Sequence, residues 1–208
     1  KDRSTSLTTR LGVSPIVVED NKELLDKEDI MIDIYGMDLL PGSIVLASTE
    51  LFLINATCRE QILKTVLAKY KKYYDYILVD CGPSLGMLTI NALTAADSVI
   101  IPVEAEYLSA KGMELLLRSV AMTKRKLNPG LKIDGILITR VDKRNNLSRK
   151  IIQMVRDAYE SLNIFESQIP ERIAVGKSLS KHELVGEFEK NSDAAIAYKK
   201  LAQEVLAK

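Results

Sequence analysis

Residues 76–80, YILVD, constrain this chain more than any other stretch. Four apolar side chains in a row read as a strand buried on both faces, the pattern of a parallel sheet covered by helices. The acid, Asp80, then falls at the carboxyl end of that strand. In parallel α/β sheets ligands sit beyond those ends, and a carboxylate there is placed to meet the Mg2+ of a bound nucleotide. An ordinary strand meeting its turn looks the same, so these five residues alone do not decide for a nucleotide.

The flanking pattern agrees with a parallel sheet. Upstream, Ile62, Leu63, Val66, Leu67 and Tyr70 recur at helical spacing, with Arg59, Glu60, Lys64, Lys71 and Lys72 outside. A helix there that leads into a strand at 76–79 is a βαβ crossover. Downstream, apolar runs at 99–103 and 132–138 predict two more strands. The helix predicted at 109–127 turns Met113, Leu116, Leu117, Val120 and Ala121 inward, and the one at 146–162 does so with Leu147, Ile151, Met154, Val155, Ala158 and Leu162. A last helix at 192–206 uses Ala194, Tyr198, Leu201, Ala202 and Val205. The expected fold class is α/β with a mainly parallel sheet. Residues 16–34 read as helix plus connection, and two short strands are expected around a Pro41-Gly42 turn.

Composition narrows the chemistry. With 208 residues, 47% hydrophobic and 27% charged, the chain is suited to one domain, 1–208, with a sizeable core. No apolar run approaches the roughly 18–20 residues that span a bilayer, and no export signal stands at the N-terminus, so the expected location is cytoplasmic. Two cysteines, Cys58 and Cys81, make neither a disulfide framework nor a metal pair. The single histidine, His182, is read as a surface residue and leaves nothing from which to build a zinc site or a histidine triad. Net charge is +1, but residues 140–181 hold nine Lys/Arg against five Asp/Glu. Arg149, Lys150, Arg156, Arg172, Lys177 and Lys181 are therefore candidate DNA phosphate contacts, although a solvated helix surface would carry the same charges.

Longer strings decide more than the acid. DCGPSLGMLTINAL from Asp80, IPVEAEYLSAKGMELL from Ile101 and GILITRVDKRNNLS from Gly135 resemble the ParA/Soj family of deviant-Walker partition ATPases. That family's text is close to DCPPSLGxLTxNAL, IPVQxEYxALEG and GILLTMYDxRTNLS. MDLLPGSIVLASTELFL, from Met37, is similar to LLPANxxLAGxExxL, and the AxAYxxLAxEVL ending is also shared. At the N-terminus Asp2, Thr8, Thr9, Leu11 and Gly12 fall on a DPQGNxTTGLG-like segment, with Arg3 to Ser6 in place of PQGN.

The resemblance implies a three-layer, P-loop NTPase-like domain that binds ATP and Mg2+. It also implies a homodimer formed on ATP binding, non-specific DNA binding at the nucleoid, no membrane contact, and a ParB-type centromere-binding partner that stimulates hydrolysis. The expected reaction is attack of a positioned water on the γ-phosphate. By the same resemblance Asp80 acts on the metal through water, and Asp2 near the attacking water or the metal. Gly82 and Pro83 form a switch-like turn, with Gly82 where the family more often has Pro. Thr139 and Arg140 stand where the base is approached, and Ile169 and Pro170 where the base and ribose adjoin. Arg140 is open to two readings, stacking on a base or pairing with Asp142.

Departures from the family are concentrated at two places. TMYD has become TRVD at 139–142, and the IPRN turn has become Ile169-Pro170-Glu171-Arg172. No GxxxxGK[ST] phosphate loop is present. The only GKS, at 176–178, has Glu171 in the position of the earlier glycine, where a carboxylate would repel phosphate, so it is read as a chance tripeptide. The expectation is a chain truncated at its N-terminus relative to the family, beginning after the first strand and phosphate loop and binding ATP weakly or not at all by itself. A non-catalytic ParA remnant that serves as an interaction module is the alternative. A MinD-like positioning ATPase would need a C-terminal amphipathic membrane helix, and an amidoligase or reductase relative would need substrate ligands or paired cysteines. Glu104 and Glu106 read as a solvated rim, and Asn91 as structural.

Overall fold

The computed structural model describes residues 32–34, 37–39, 53–82, 84–105, 107–142, 144–181 and 183–208, without the side chains of 32–34, 37–39, 107–111 and 179. The chain forms two units, Lys1–Asp97 with Ser119–Leu131, and Ser98–Arg118 with Lys132–Lys208.

In the first unit β1 (Ile32–Ile34) and β2 (Met37–Leu39) pair antiparallel, Ile32 opposite Leu39. Each strand alternates apolar, acidic, apolar, the period-two pattern of a hairpin. β1 thus replaces the end of the expected helix and connection. β2 is the first strand expected beside Pro41-Gly42, and that turn and the second strand lie outside the described residues. α1 (Ile62–Ala68) buries Leu63 and Val66, and α2 (Met87–Ala95) buries Thr89, Asn91, Ala92, Leu93 and Thr94. Fully buried Asn91 joins the two helices: its Oδ1 accepts from the Leu63 N–H at 3.1 Å, and its Nδ2 donates to the Arg59 and Met87 carbonyls at 2.7 and 3.0 Å. All its polar atoms are satisfied, so burial is tolerated. Asn128 ends α2 in the same way, donating to the carbonyls of Leu93 and Ala96.

Residues 76–79 are not a strand. They have no regular structure, with Tyr76 59% and Leu78 86% exposed. The expected buried strand, and the crossover into it, are therefore corrected. A strand holds its shape through its neighbours' hydrogen bonds, and among the described residues no strand pairs with this segment.

The second unit carries the parallel sheet. β3 (Ser98–Glu104), β4 (Lys132–Val141) and β5 (Ile164–Pro170) lie in the order β3-β4-β5, all parallel. α3 (Tyr107–Lys126) links the first pair and α4 (Asn146–Ala158) the second. Alternate residues of the strands point to opposite faces. On one face Ile101, Val103, Ile136 and Ile138 pack with Met113, Ile151 and Val155, and with partly buried Leu116 and Leu117. On the other, Leu137, Phe165 and Ile169 pack with Ala197, Leu201 and Val205 of α7 (Asp193–Leu206). Between β5 and α7 run α5 (Ile173–Lys181) and the single turn α6 (Val185–Phe188). Helices on both faces of the sheet give the three layers expected.

Three helix faces differ from expectation. Leu147 and Met154 are 58% and 55% exposed and Ala158 is exposed, because α4 rotates to bury Ser148, Ile151 and Val155. Asn145 sets the start of that helix by accepting from the Leu147 N–H at 2.9 Å, an N-cap that faces Leu147 outward. Ala121 is exposed on α3, and on α7 Tyr198 and Ala202 are exposed while Ala195 and Ala197 are buried.

Strand β5 is irregular. Ile136 opposes Ile164 but Ile138 opposes Gln168, so β5 has two extra residues over that interval. The Glu166 and Ser167 N–H groups turn to the Glu204 carboxylate of α7 at 2.9 and 2.8 Å, and the Ser167 hydroxyl donates to it as well. One side chain thus satisfies the backbone donors that the bulge leaves out of the ladder.

Candidate functional site

The register brings the carboxyl ends of the three strands to one edge, Glu104 opposite Thr139 and Val141 opposite Pro170. β4 runs three residues further than expected and takes Thr139 and Arg140 into the strand. There the backbone departs from the sheet: Arg140 has φ 52°, the left-handed region that a side chain rarely occupies, beside a break in register between Ile138 and Val141. Its guanidinium reaches Glu171 at 2.9 Å on one side and Glu104 at 3.4 Å on the other. Its hydrogen bond to the Glu171 carboxylate and the charge of Glu104 raise its pKa above the ordinary arginine value. Of the two readings of Arg140, pairing with Asp142 is corrected: the partners are Glu171 and Glu104.

Past this edge a pocket of about 800 Å³ is lined by Asp142 and Arg144 after β4, Glu171 and Arg172 after β5, Ile173, Ala174 and Lys177 of α5, then Phe188 and Glu189. Asp142 accepts from the Arg144 backbone N–H at 3.0 Å and from its Nε at 3.2 Å. Those bonds, with the nearby charge of Arg172, hold its carboxyl below the usual aspartate range. Arg172 donates to the Glu171 carbonyl at 2.9 Å and to Asp193 at the start of α7. The wall therefore alternates fixed charges with the apolar surfaces of Ile173, Ala174 and Phe188. It offers a ligand carboxylate acceptors, guanidinium and ammonium donors, and apolar surface.

The residues expected beside a base, Thr139, Arg140, Ile169 and Pro170, stand next to this pocket rather than in its lining. Ile169 lies in the core beneath α7 and Pro170 is also buried, and neither lines the pocket, which begins at Glu171. Asp142, Arg144, Glu171, Ile173, Phe188 and Glu189 were not singled out as ligand residues; the charge alternation of VDKR and PER was the available signal. Asp80 is exposed in the other unit, its carboxyl pKa raised by desolvation. A Cβ on Gly82 would meet nothing within 4 Å, so packing does not require glycine there. Asp2, Pro83, Glu106 and His182 lie outside the described residues.

Of the six candidate DNA contacts, Arg149 and Lys150 are exposed on α4 and Arg156 is half-buried, while Arg172 and Lys177 line the pocket and Lys181 lies 4.9 Å over the Phe188 ring. They form two groups rather than one. Gly176-Lys177-Ser178 is a middle turn of α5, where backbone N–H groups are spent within the helix rather than presented to a phosphate, and the Ser178 hydroxyl donates to the Val175 carbonyl. The chance reading of that tripeptide stands. Among the described residues no three His, Cys, Asp or Glu side chains converge as a metal cage. Nucleotide-bound Mg2+ takes one or two carboxylates with phosphate oxygens and does not need a cage; the exposed carboxylate of Asp80 suits that kind of contact.

The AAA domain family AAA_31 matches residues 6–133. The sporulation initiation inhibitor protein Soj of Bacillus subtilis (strain 168) is 37% identical over 214 residues, covering 99% of this chain and 84% of its own. The chain belongs to the ParA/Soj family of partition ATPases. Other ParA/Soj relatives are the chromosome-partitioning ATPase Soj of Treponema pallidum, 35% identical over 84% of this chain and 69% of its own length, and the chromosome partitioning protein ParA of Myxococcus xanthus, 35% identical over 82% and 60%. Among solved structures, cobyrinic acid a,c-diamide synthase from Mycobacterium smegmatis with bound ADP and magnesium superimposes with TM-score 0.74 at 35% identity, over 88% of this chain and 67% of that one. A Borrelia burgdorferi plasmid partition protein bound to AMPPNP gives 0.69 at 27%, over 89% and 71%. The likeness to Cyanothece apo McdA, 0.79 at 20% identity over 92% and 78%, shows the fold. The ParA/Soj assignment and the P-loop, α/β fold class read from the sequence are thereby shown.

Proposed function

We propose that this chain, a single ParA-like domain over 1–208, belongs to a partition ATPase that hydrolyses ATP with Mg2+, dimerises on ATP, binds DNA without sequence preference at the cytoplasmic nucleoid and answers to a ParB-type partner. One observation carries the reading: a pocket walled by the loops after β4 and β5, at the carboxyl edge of a parallel sheet, in a chain 37% identical to Soj. Ile173, Ala174 and Phe188 flank the base, and Thr139 and Arg140 support that wall from the strand. Asp80 holds Mg2+ through water and Asp2 acts near the attacking water; the metal, when bound, neutralises phosphate charge. Arg149, Lys150, Arg156 and Lys181 supply DNA phosphate contacts. Arg172 and Lys177, which line the pocket, serve the nucleotide instead.

The test is ATP hydrolysis by the full gene product, with duplex DNA and with its centromere-binding partner. Hydrolysis that rises with both supports the reading, and no hydrolysis under either condition overturns it. A second reading, ATP-dependent amide formation, draws on the Mycobacterium smegmatis likeness. Conversion of cobyrinic acid to an amide by the same preparation would favour that one.

A further inference from the structure

Arg140 and Glu171 both stand where the ParA/Soj text has another residue, and they touch each other at 2.9 Å. The pocket wall holds three carboxylates, Asp142, Glu171 and Glu189, against Arg144, Arg172 and Lys177. Arg172 is drawn off to Asp193 and Arg144 to Asp142. Glu171 is matched from outside the pocket, by a strand residue whose left-handed backbone carries its guanidinium between the ends of β3 and β5. We propose that Arg140 is a positioning residue of the pocket: clasped by Glu104 and Glu171, it cancels the charge of Glu171 and fixes that carboxylate on the wall, so that a nucleoside triphosphate is admitted rather than repelled. This rests on the nucleotide reading of the pocket.

A fluorescent ATP analogue with Mg2+, titrated into the full gene product at low and moderate salt, tests it. Arg140→Gln should weaken binding about fivefold at low salt, the upper end of what an exposed ion pair is worth, and by less at moderate salt, where charge is screened. Arg140→Lys should recover most of the loss. Adding Glu171→Gln to Arg140→Gln should restore affinity to within about twofold, since the charge to be cancelled is gone. Glu171→Gln alone, which leaves Arg140 in place should Arg140→Gln not fold, should bind somewhat more tightly. An Arg140→Gln protein that binds like wild type overturns the inference, as does a loss that neither salt nor Glu171→Gln relieves, or a loss on Glu171→Gln alone. Wild type that binds no analogue overturns the nucleotide reading, and this inference with it.

Discussion

Gly135 shows how closely β4 and the start of β5 approach. A Cβ there would sit 2.6 Å from Asn163 Nδ2 and 2.9 Å from Phe165 Cε2. Asn163 is held in place by its own bond to the Asp134 carbonyl at 2.7 Å, and Phe165 is fully buried, so neither can withdraw. Gly135→Ala should therefore cost about 1–3 kcal/mol as an overpacked site, read as a lower urea midpoint at unchanged slope. Glu204 gives a second residue-scale prediction. Desolvation raises its pKa, but the bonds from Ser167 and Glu166 outweigh this and the net shift is downward from 4.5. A depressed acid contributes stability above its unfolded pKa and loses it as pH falls through the folded value. The melting temperature of wild type should fall more steeply than that of Glu204→Gln below about pH 4.5, and the gap between the two should close.

At the scale of elements, α4 is the sharpest case. Its buried stripe is Ser148, Ile151 and Val155, so Ile151→Ala should cost about 2–5 kcal/mol, whereas Leu147→Ser and Met154→Ser should each stay within about 0.5 kcal/mol. Chemical denaturation of the three variants checks the helix's rotation. The sequence left that rotation open, because Leu147, Ile151, Val155 and Ser148, Ile151, Val155 both satisfy helical spacing and only the Asn145 cap chooses between them. Strands β3 and β4 were legible because their apolar runs carry the sheet's core, Ile101 and Val103 from one and Ile136, Leu137 and Ile138 from the other. The residues 76–79 carry the same kind of run, yet no pattern within them states whether a neighbour is present. The candidate pocket adjoins the two loops singled out in the sequence, but the extension of β4 to Val141 and the burial of Pro170, neither of them legible in the pattern, set its lining at Asp142, Glu171 and Ile173.

For the whole molecule, charge is the property that bears on function. The basic group on α4, with Lys181 at the end of α5, predicts DNA affinity that falls steeply with salt. Replacing Arg149 and Lys150 with Ala should lower the slope of log affinity against log salt by about one for each DNA phosphate no longer neutralised, measured by anisotropy on duplexes of unrelated sequence. Affinity that stays flat between low and moderate salt would sink the DNA reading.

The exposure of residues 76–79 bears on handling the protein. Tyr76, Ile77 and Leu78 present greasy side chains to solvent on a segment of β-forming residues that pairs with no strand among the described residues. Such a ribbon is a template onto which a second molecule can stack. Light scattering from this polypeptide should grow faster than in proportion to concentration, and Leu78→Lys should suppress the excess by adding a charge at its most exposed point.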